Sequence, residues 1–247
     1  MPVARKQVGN VGVAVVTVES YRNPPKIHDG NSAGKSTMDK TMPEISLLTW
    51  GRRLAALAQT GTNYAQSPFD VQRYEEVRKI AAELMAAVSV HTPDQLLELF
   101  RADRGYGTPK VDVRGMVFRG DELLLVREKD DGGWTPPGGW VDVGETPTEA
   151  VEKEVREESG YLAKAGKLIG VYERDRRGHT PLAFAVIKLF IQCELTGGAA
   201  MPSNETTEVG FFHRDALPPL SLARVVPYEI ERAYAHRENP ALPTDMD

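Results

Sequence analysis

The stretch "GGWVDVGETPTEAVEKEVREESGY", residues 138–161, decides how the rest of the chain is read. It sets five glutamates between Glu149 and Glu158, and Glu154, Glu157 and Glu158 lie three and four residues apart. The segment carries its own helix signals: Thr146 can cap, Pro147 suits the first helical position, Glu149 completes a T-x-x-E capping box, and Gly160 ends the helix. At about 100° per residue, Val151, Val155 and Leu162 share one face, and Glu158, Glu154 and Glu157 form a strip bordering it. Lys153 and Arg156 fall on the far side, where they neutralise that strip poorly.

Each like-charged pair at these spacings costs a few tenths of a kcal/mol, and more where water is excluded. A solvated acidic face explains Glu149 and Glu152, but not carboxylates beside an apolar stripe. A hard divalent cation held by carboxylate oxygens explains them better, because Mg²⁺ joins such carboxylates to substrate phosphates. Just ahead of the helix, the glycines of "GGWVDVGE" let the backbone approach the same metal and a diphosphate closely.

The bulk numbers narrow the setting. The 247 residues suffice for one large or two modest domains. With 30 Lys and Arg against 35 Asp and Glu, the net charge of -5 argues against a general nucleic-acid binder, which needs basic surface. Cys193 is the only cysteine, so no intrachain disulfide can form and a reducing cytoplasm is expected. No apolar run approaches the roughly 18 residues of a membrane span.

The first forty residues contain two imitations. "VGVAVVTV", residues 11–18, resembles the core of a secretory signal but is short, β-branched and without a small-x-small cleavage site. "DGNSAGKST", residues 29–37, resembles a phosphate-binding P-loop, yet encloses three residues between its glycines instead of four and follows a proline-broken polar segment. Residues 1–41 are expected to be a disordered tail or an extension from a misassigned start, with Met38 or Met42 as the true first residue.

Beyond Met42, Leu47, Trp50, Leu54 and Leu57 recur at helical intervals, as do Tyr74, Val77, Ala81, Leu84 and Val88. The break between them, "TGTNYAQSPFD", offers Asp70 as an N-cap, and a third helix spans residues 93–101. The expectation is an α+β protein, with a small all-α domain at residues 42–102 and a linker at 103–110. A domain of helices packed on a mixed sheet fills residues 111–247. About sixty helical residues bury little core by themselves. Their stripes therefore pack within the chain or on a second copy, and a homodimer is expected. The strands are "VDVRGMVF", "ELLLVRE", "GKLIGVYERD", "LAFAVIKLFIQCEL" and "EVGFF", followed by a closing helix at residues 222–237.

The acidic segment resembles the Nudix box, G-x5-E-x7-R-E-U-x-E-E-x-G-U with U apolar. Gly139, Glu145 and "KEVREESGY" match every fixed position, except that Lys153 replaces the arginine and Tyr161 takes the last apolar place. The resemblance implies a Nudix α/β/α sandwich and a pyrophosphatase that uses Mg²⁺ or Mn²⁺ to hydrolyse a nucleoside diphosphate derivative. It implies that Glu154, Glu157 and Glu158 ligate the metal together with the Gly139 carbonyl, and that Glu145 supports the box. Lys153 lacks the bidentate fork of arginine, which puts the alignment of the neighbouring glutamates in question.

The remainder resembles the two-domain branch with an N-terminal helical domain, on "LLTWGRRLAALAQTGTNYAQSPFDVQRYEEVRKIA", "WTPPGGWVDVGE", "ETTEVGFF", "LPPLSLARV" and "PTDMD". That branch includes CDP-choline and ADP-ribose pyrophosphatases. The proline that often marks ADP-ribose enzymes about sixteen residues past the box is replaced by Arg177, with Pro181 four further on, and no NADH-type S-Q-P-W-P-F-P occurs. CDP-choline is the leading substrate and ADP-ribose the second; a nucleotide-binding regulator and an RNA-processing nuclease are further alternatives. Trp140, Tyr64 and Trp50 are candidate aromatic walls for choline. Arg114 and Arg127 are candidate phosphate ligands or salt-bridge partners, and Glu205 or Glu208 a further ligand or the base.

Overall fold

The computed structural model describes residues 47–180 and 182–247. The signal-like run, the P-loop imitation, the expected tail and Pro181 lie outside the described residues. The chain divides into two compact units, Met1–Arg104 and Gly105–Asp247.

The first unit contains α1 (Leu47–Tyr64), α2 (Pro68–Ala86) and α3 (Pro93–Ala102). The break expected over eleven residues shrinks to three, because α1 runs through Gly61 to Tyr64. A Cβ at Gly61 would lie 2.2 Å from the Tyr74 ring, so glycine serves a close crossing of α1 on α2. Ser67 caps α2 by accepting from the Phe69 N–H at 3.2 Å, whereas Asp70, the expected cap, sits in the first turn and pairs with Arg73 at 2.6 Å. The buried face of α1 is small, Gly51, Ala55 and Ala58, and packs against Ala81, Ala82 and Met85 of α2. Small residues win the interface because they let the helices approach, and the larger side chains of the expected stripe, Leu47, Trp50 and Leu57, point outward and stay exposed.

The second unit is built on β1 (Lys110–Arg119), β2 (Glu122–Glu128), β3 (Trp134–Thr135), β4 (Tyr161–Glu173), β5 (Val186–Gly198), β6 (Thr206–His213) and β7 (Asp245–Met246), with α4 (Pro147–Ser159) and α5 (Pro227–Glu238). The strand order is β3-β2-β1-β5-β4-β7, and β6 pairs with β2. β1 runs parallel to β5, with Asp112 opposite Lys188 and Arg114 opposite Phe190; β4 is antiparallel to β5. The sheet is mixed, as expected. α4 covers one face, where Val151 and Val155 pack with Val113, Val117, Leu124 and Ile191. On the other face Ile230, Ala233 and Tyr234 of α5 pack with Met116, Leu125, Ile169 and Phe190, which completes an α/β/α sandwich.

Three boundaries differ from the sequence reading: β5 runs from Val186 to Gly198 instead of from Leu182 to Leu195, and the starts of β4 and α5 shift as well. β4 begins at Tyr161, because Gly160 in the left-handed region (φ 75°) turns the chain straight from α4 into the strand. α5 begins at Pro227 rather than 222, since a proline inside the helix would lose a hydrogen bond and collide with the preceding turn.

Candidate active site

The acidic helix is held as its sequence dictates. Thr146 Oγ1 accepts from the Glu149 N–H at 3.3 Å, and Glu149 Oε2 accepts from the Thr146 N–H at 2.9 Å. With Val151 and Val155 fixing the rotation of α4, the three glutamates differ in exposure: 6% for Glu158, 17% for the Glu154 side chain and 59% for that of Glu157. The glycine loop meets them. Glu158 Oε2 accepts the Gly138 N–H at 2.9 Å, and a Cβ on Gly139 would lie 3.2 Å from the Glu154 carboxylate carbon. A Cβ on Gly138 would lie 2.0 Å from the Val113 carbonyl oxygen, so only glycine lets this loop pass between β1 and α4. The Gly139 carbonyl accepts from the Val113 N–H at 2.8 Å and keeps a second lone pair.

Burial dominates the electrostatics. It lifts the Glu158 carboxyl to about 8, against the pull of Arg114 and the Gly138 N–H. It also raises Glu154, against the pull of Lys153. Lys153, the departure from the box, reaches both oxygens of Glu145 at 3.0 and 2.8 Å and Asp142 at 3.2 Å, with Glu154 at 3.7 Å. The bond to Glu145 holds its ammonium above the usual lysine range. An ammonium can therefore tie Glu145 to the helix without a guanidinium fork.

Arg114 is buried, and its salt bridge is internal. Its Nε and Nη2 donate to Asp112 at 3.2 and 2.8 Å, and Lys188 Nζ donates to the same carboxylate at 2.5 Å. Burial pushes Asp112 up, but Arg114 and Lys188 together hold it down at about 2. Burial pulls Lys188 down to about 8, against Asp112. Glu128, raised by burial, accepts from Arg224 Nε at 2.9 Å, and Arg224 also reaches Asp130 at 2.7 Å.

Of the other sequence candidates, Arg127 donates to Glu208 at 2.6 Å and to the Gly132 carbonyl at 3.0 Å, and that ion pair is exposed. Glu205 lies within electrostatic reach of Glu154. Trp140 is half-exposed beside the loop glycines, and Tyr64, at the end of α1 in the first unit, is exposed. Asp112, Lys188, Glu128 and Arg224 escaped the sequence reading. Their signal was charge inside apolar strand runs: "VDVR" puts Asp112 and Arg114 on one face of a strand, and Glu128 closes "LLLVRE".

No three His, Cys, Asp or Glu side chains among the described residues form a ready metal cluster. Mg²⁺, however, takes only one or two protein carboxylates alongside substrate phosphates and water. The all-oxygen set of Glu154, Glu157 and Glu158, with the Gly139 backbone against Glu154, fits that demand.

Sandwich, glycine loop and graded glutamates define a class of diphosphate hydrolases. The NUDIX domain family matches residues 108–233, and the UDP-X-like, N-terminal oligomerisation domain family matches residues 46–100. The chain belongs to the Nudix family and is a Nudix pyrophosphohydrolase. It is 39% identical over 196 residues to the putative ADP-ribose pyrophosphatase YjhB of Bacillus subtilis, covering 79% of this chain and 94% of that one. It resembles the crystal structure of a UDP-X diphosphatase at 29% identity and a TM-score of 0.54, and that of an ADP-ribose pyrophosphatase from Streptococcus suis at 36% identity and a TM-score of 0.53. The first alignment covers 81% of this chain and 98% of its counterpart, the second 57% and 100%. Nudix hydrolases generally work with divalent metal ions. No helix among the described residues is long and apolar enough to cross a membrane.

Proposed function

We propose that this protein hydrolyses the diphosphate of ADP-ribose to AMP and ribose 5-phosphate, using Mg²⁺ or Mn²⁺. The observation that carries the reading is the convergence of Gly138 and Gly139 with Glu158 and Glu154. ADP-ribose takes precedence over the CDP-choline expected from sequence because two relatives matched over most of their length, at 39% and 36% identity, carry the ADP-ribose name, against a UDP-X diphosphatase at 29%. Glu154, Glu157, Glu158 and the Gly139 carbonyl would hold the metal, which supplies charge neutralisation on the diphosphate and an activated water. Lys153 keeps Glu145 and Glu154 in place, and Arg114 supplies fixed positive charge beside Glu158. The Gly138 N–H orients the Glu158 carboxyl, which would be deprotonated where it holds the metal. Glu205, near Glu154, is favoured over the Arg127-paired Glu208 as an additional acidic group.

The assay incubates purified protein and Mg²⁺ or Mn²⁺ with ADP-ribose, CDP-choline, NADH and a labelled oligonucleotide, with Glu158→Gln as control. AMP and ribose 5-phosphate, lost with Glu158→Gln, support the reading. CMP and phosphocholine instead would move the substrate to CDP-choline, and nucleotide binding without turnover would favour a regulator.

The exposed Leu47, Trp50 and Leu57 on α1 favour a second copy as partner, in keeping with the oligomerisation family matched there. The buried lone thiol of Cys193 suits a reducing cytoplasm.

A further inference from the structure

We propose that Arg224 is a positioning residue for the hydrolytic site: its guanidinium clamps the turn between β2 and β3 to the segment at residues 219–225, and thereby fixes the glycine loop, Gly138 and Gly139, against Glu158 and Glu154. The inference rests on the reading of the protein as a diphosphate hydrolase, and it gives the "LPPLSLARV" run, residues 217–225, a task.

The loop hangs from a slight element. β3 has two residues, Trp134 and Thr135, which pair with Arg127 and Val126 of β2. So short a strand fixes little by itself, because it makes too few ladder hydrogen bonds. Its other edge is held by the segment ahead of α5: the Trp134 N–H donates to the Pro219 carbonyl and the Ser221 N–H to the Trp134 carbonyl, both at 2.9 Å. The crossing is close, since a Cβ on Gly133 would lie 2.6 Å from the Ser221 backbone. Onward from Thr135 the chain is stiff, because Pro136 and Pro137 have fixed φ and each restricts the residue before it. β1 grips the loop further on, the Gly115 N–H donating to the Pro137 carbonyl and the Val113 N–H to the Gly139 carbonyl, both at 2.8 Å. A shift of β3 therefore pulls on the Gly138 N–H and on the bonds that β1 makes to the loop.

Arg224 closes that crossing. Its Nε meets Glu128 at 2.9 Å, Nη2 donates to Asp130 at 2.7 Å, and Nη1 donates to Ser221 Oγ at 3.2 Å, with Asp131 at 3.6 Å. Ser221 Oγ donates to Asp131 Oδ2 at 2.7 Å, and Asp131 Oδ1 accepts the Gly133 N–H at 2.9 Å. One cation thus gathers Glu128, Asp130 and Asp131, close neighbours in the chain whose carboxylates repel one another without it. A guanidinium suits the task because its donors diverge in a fixed plane and reach all of these groups together, whereas an ammonium is a compact point charge. Arg224 is itself set by a turn, its N–H donating to the Ser221 carbonyl at 2.8 Å. All three of its nitrogens are engaged, so it acts through the turn. The clamp adjoins the charges of the site: Glu128 is buried at the end of β2, within electrostatic reach of Arg114 and Glu158. Arg114 Nη1 in turn donates to the Pro136 carbonyl at 3.4 Å, at the entry of the glycine loop.

The test reads the loop itself on the full chain: amide hydrogen exchange by mass spectrometry in EDTA, and Mn²⁺ affinity by electron paramagnetic resonance. The variants are Arg224→Met, Arg224→Lys and Ser221→Ala, the last a milder break that carries the test should Arg224→Met fail to fold. Arg232→Met is the control, removing a guanidinium that grips Asp245 of β7 at 2.6 and 2.9 Å, at the opposite end of the strand order from β3. Arg224→Met is expected to speed exchange in residues 129–141 by about tenfold or more and to leave residues 186–198 unchanged. Mn²⁺ binding should weaken by about tenfold, as for other groups that orient metal ligands. In turnover of ADP-ribose with Mg²⁺, kcat should fall by about tenfold or more, with KM within about threefold. Ser221→Ala should show the same changes at smaller size, Arg224→Lys should recover little, and Arg232→Met should cause none of them. Native exchange and Mn²⁺ affinity in Arg224→Met, full recovery by lysine, or equal losses in Arg232→Met overturns the proposal. Native turnover with exchange, Mn²⁺ affinity and kcat insensitive to Arg224 removes this proposal alone. Exchange and Mn²⁺ affinity that depend on Arg224, in a chain that turns over no ADP-ribose, remove the hydrolase reading alone.

Discussion

Glu158→Gln should make the protein more stable in alkaline solution while abolishing its hydrolysis. The unfolded carboxyl titrates near 4.5 and the buried one at about 8. Between those values the fold retains a proton that the unfolded chain has released, so stability falls as pH rises and the full cost is reached above 8. At about 1.4 kcal/mol per pH unit, the cost reaches about 5 kcal/mol at pH 9. Glutamine cannot ionise, and its amide oxygen can still accept the Gly138 N–H. The stability difference between Glu158→Gln and the native chain should therefore be near zero at pH 4.5, about 2 kcal/mol at pH 6 and about 5 kcal/mol at pH 9. Urea unfolding in EDTA across that pH range measures it. Added Mg²⁺ should stabilise the native chain and leave the variant largely unmoved. A difference that does not change with pH, or a variant less stable at pH 9, refutes the reasoning.

Other perturbations read other parts of the site. Asp112→Asn leaves two buried cations without a charged partner and should destabilise the protein by about 3–5 kcal/mol in denaturant unfolding. Lys153→Met frees Glu145 and should lower kcat by about tenfold or more, whereas Lys153→Arg, with two donors for the same carboxylate, should keep the native rate; steady-state assays with Mg²⁺ decide. Leu57→Glu places a charge in the exposed α1 stripe and should shift the protein from dimer to monomer in sedimentation equilibrium, with little change in the helical circular dichroism of the unit.

Legibility in the sequence followed the range of the interactions. The α4 caps depend on residues three apart, and Thr146, Glu149 and Gly160 announce them directly. The strip of Glu154, Glu157 and Glu158 follows from helical periodicity, and its graded exposure from the positions of Val151 and Val155. In the helical unit the same reasoning misled, because periodicity finds large apolar residues while α1 and α2 meet through Gly51, Ala55, Ala58 and Gly61. What a residue faces across the sheet could not be read at all. Asp112 meets Lys188 seventy-six positions away and Trp140 twenty-eight away, through pairings that only the strand order fixes. Arg127 and Glu208, read separately as candidates for phosphate and metal, are set opposite one another and paired by the β2–β6 register, which the sequence could not show.

The crowding of glutamates on α4 can now be costed. Like-charge repulsion along the helix amounts to a few tenths of a kcal/mol per pair, and a single capping residue contributes about 1 kcal/mol. The larger burden is Glu158, a carboxyl enclosed by the loop and the sheet that the fold holds protonated up to about pH 8. Its position is not a packing accident, since Gly138 directs its N–H at the carboxyl and Arg114 is held close by Asp112. A side chain serving only as core would be replaced by a methionine or leucine at a gain in stability. A carboxylate that is costly when empty releases its proton when a divalent ion supplies the missing positive charge, so ion binding and recovery of stability are one event. If Glu158 holds the metal as proposed, the instability stored there is the same free energy that would couple metal capture to pH, and removing it should make the protein firmer and inert together.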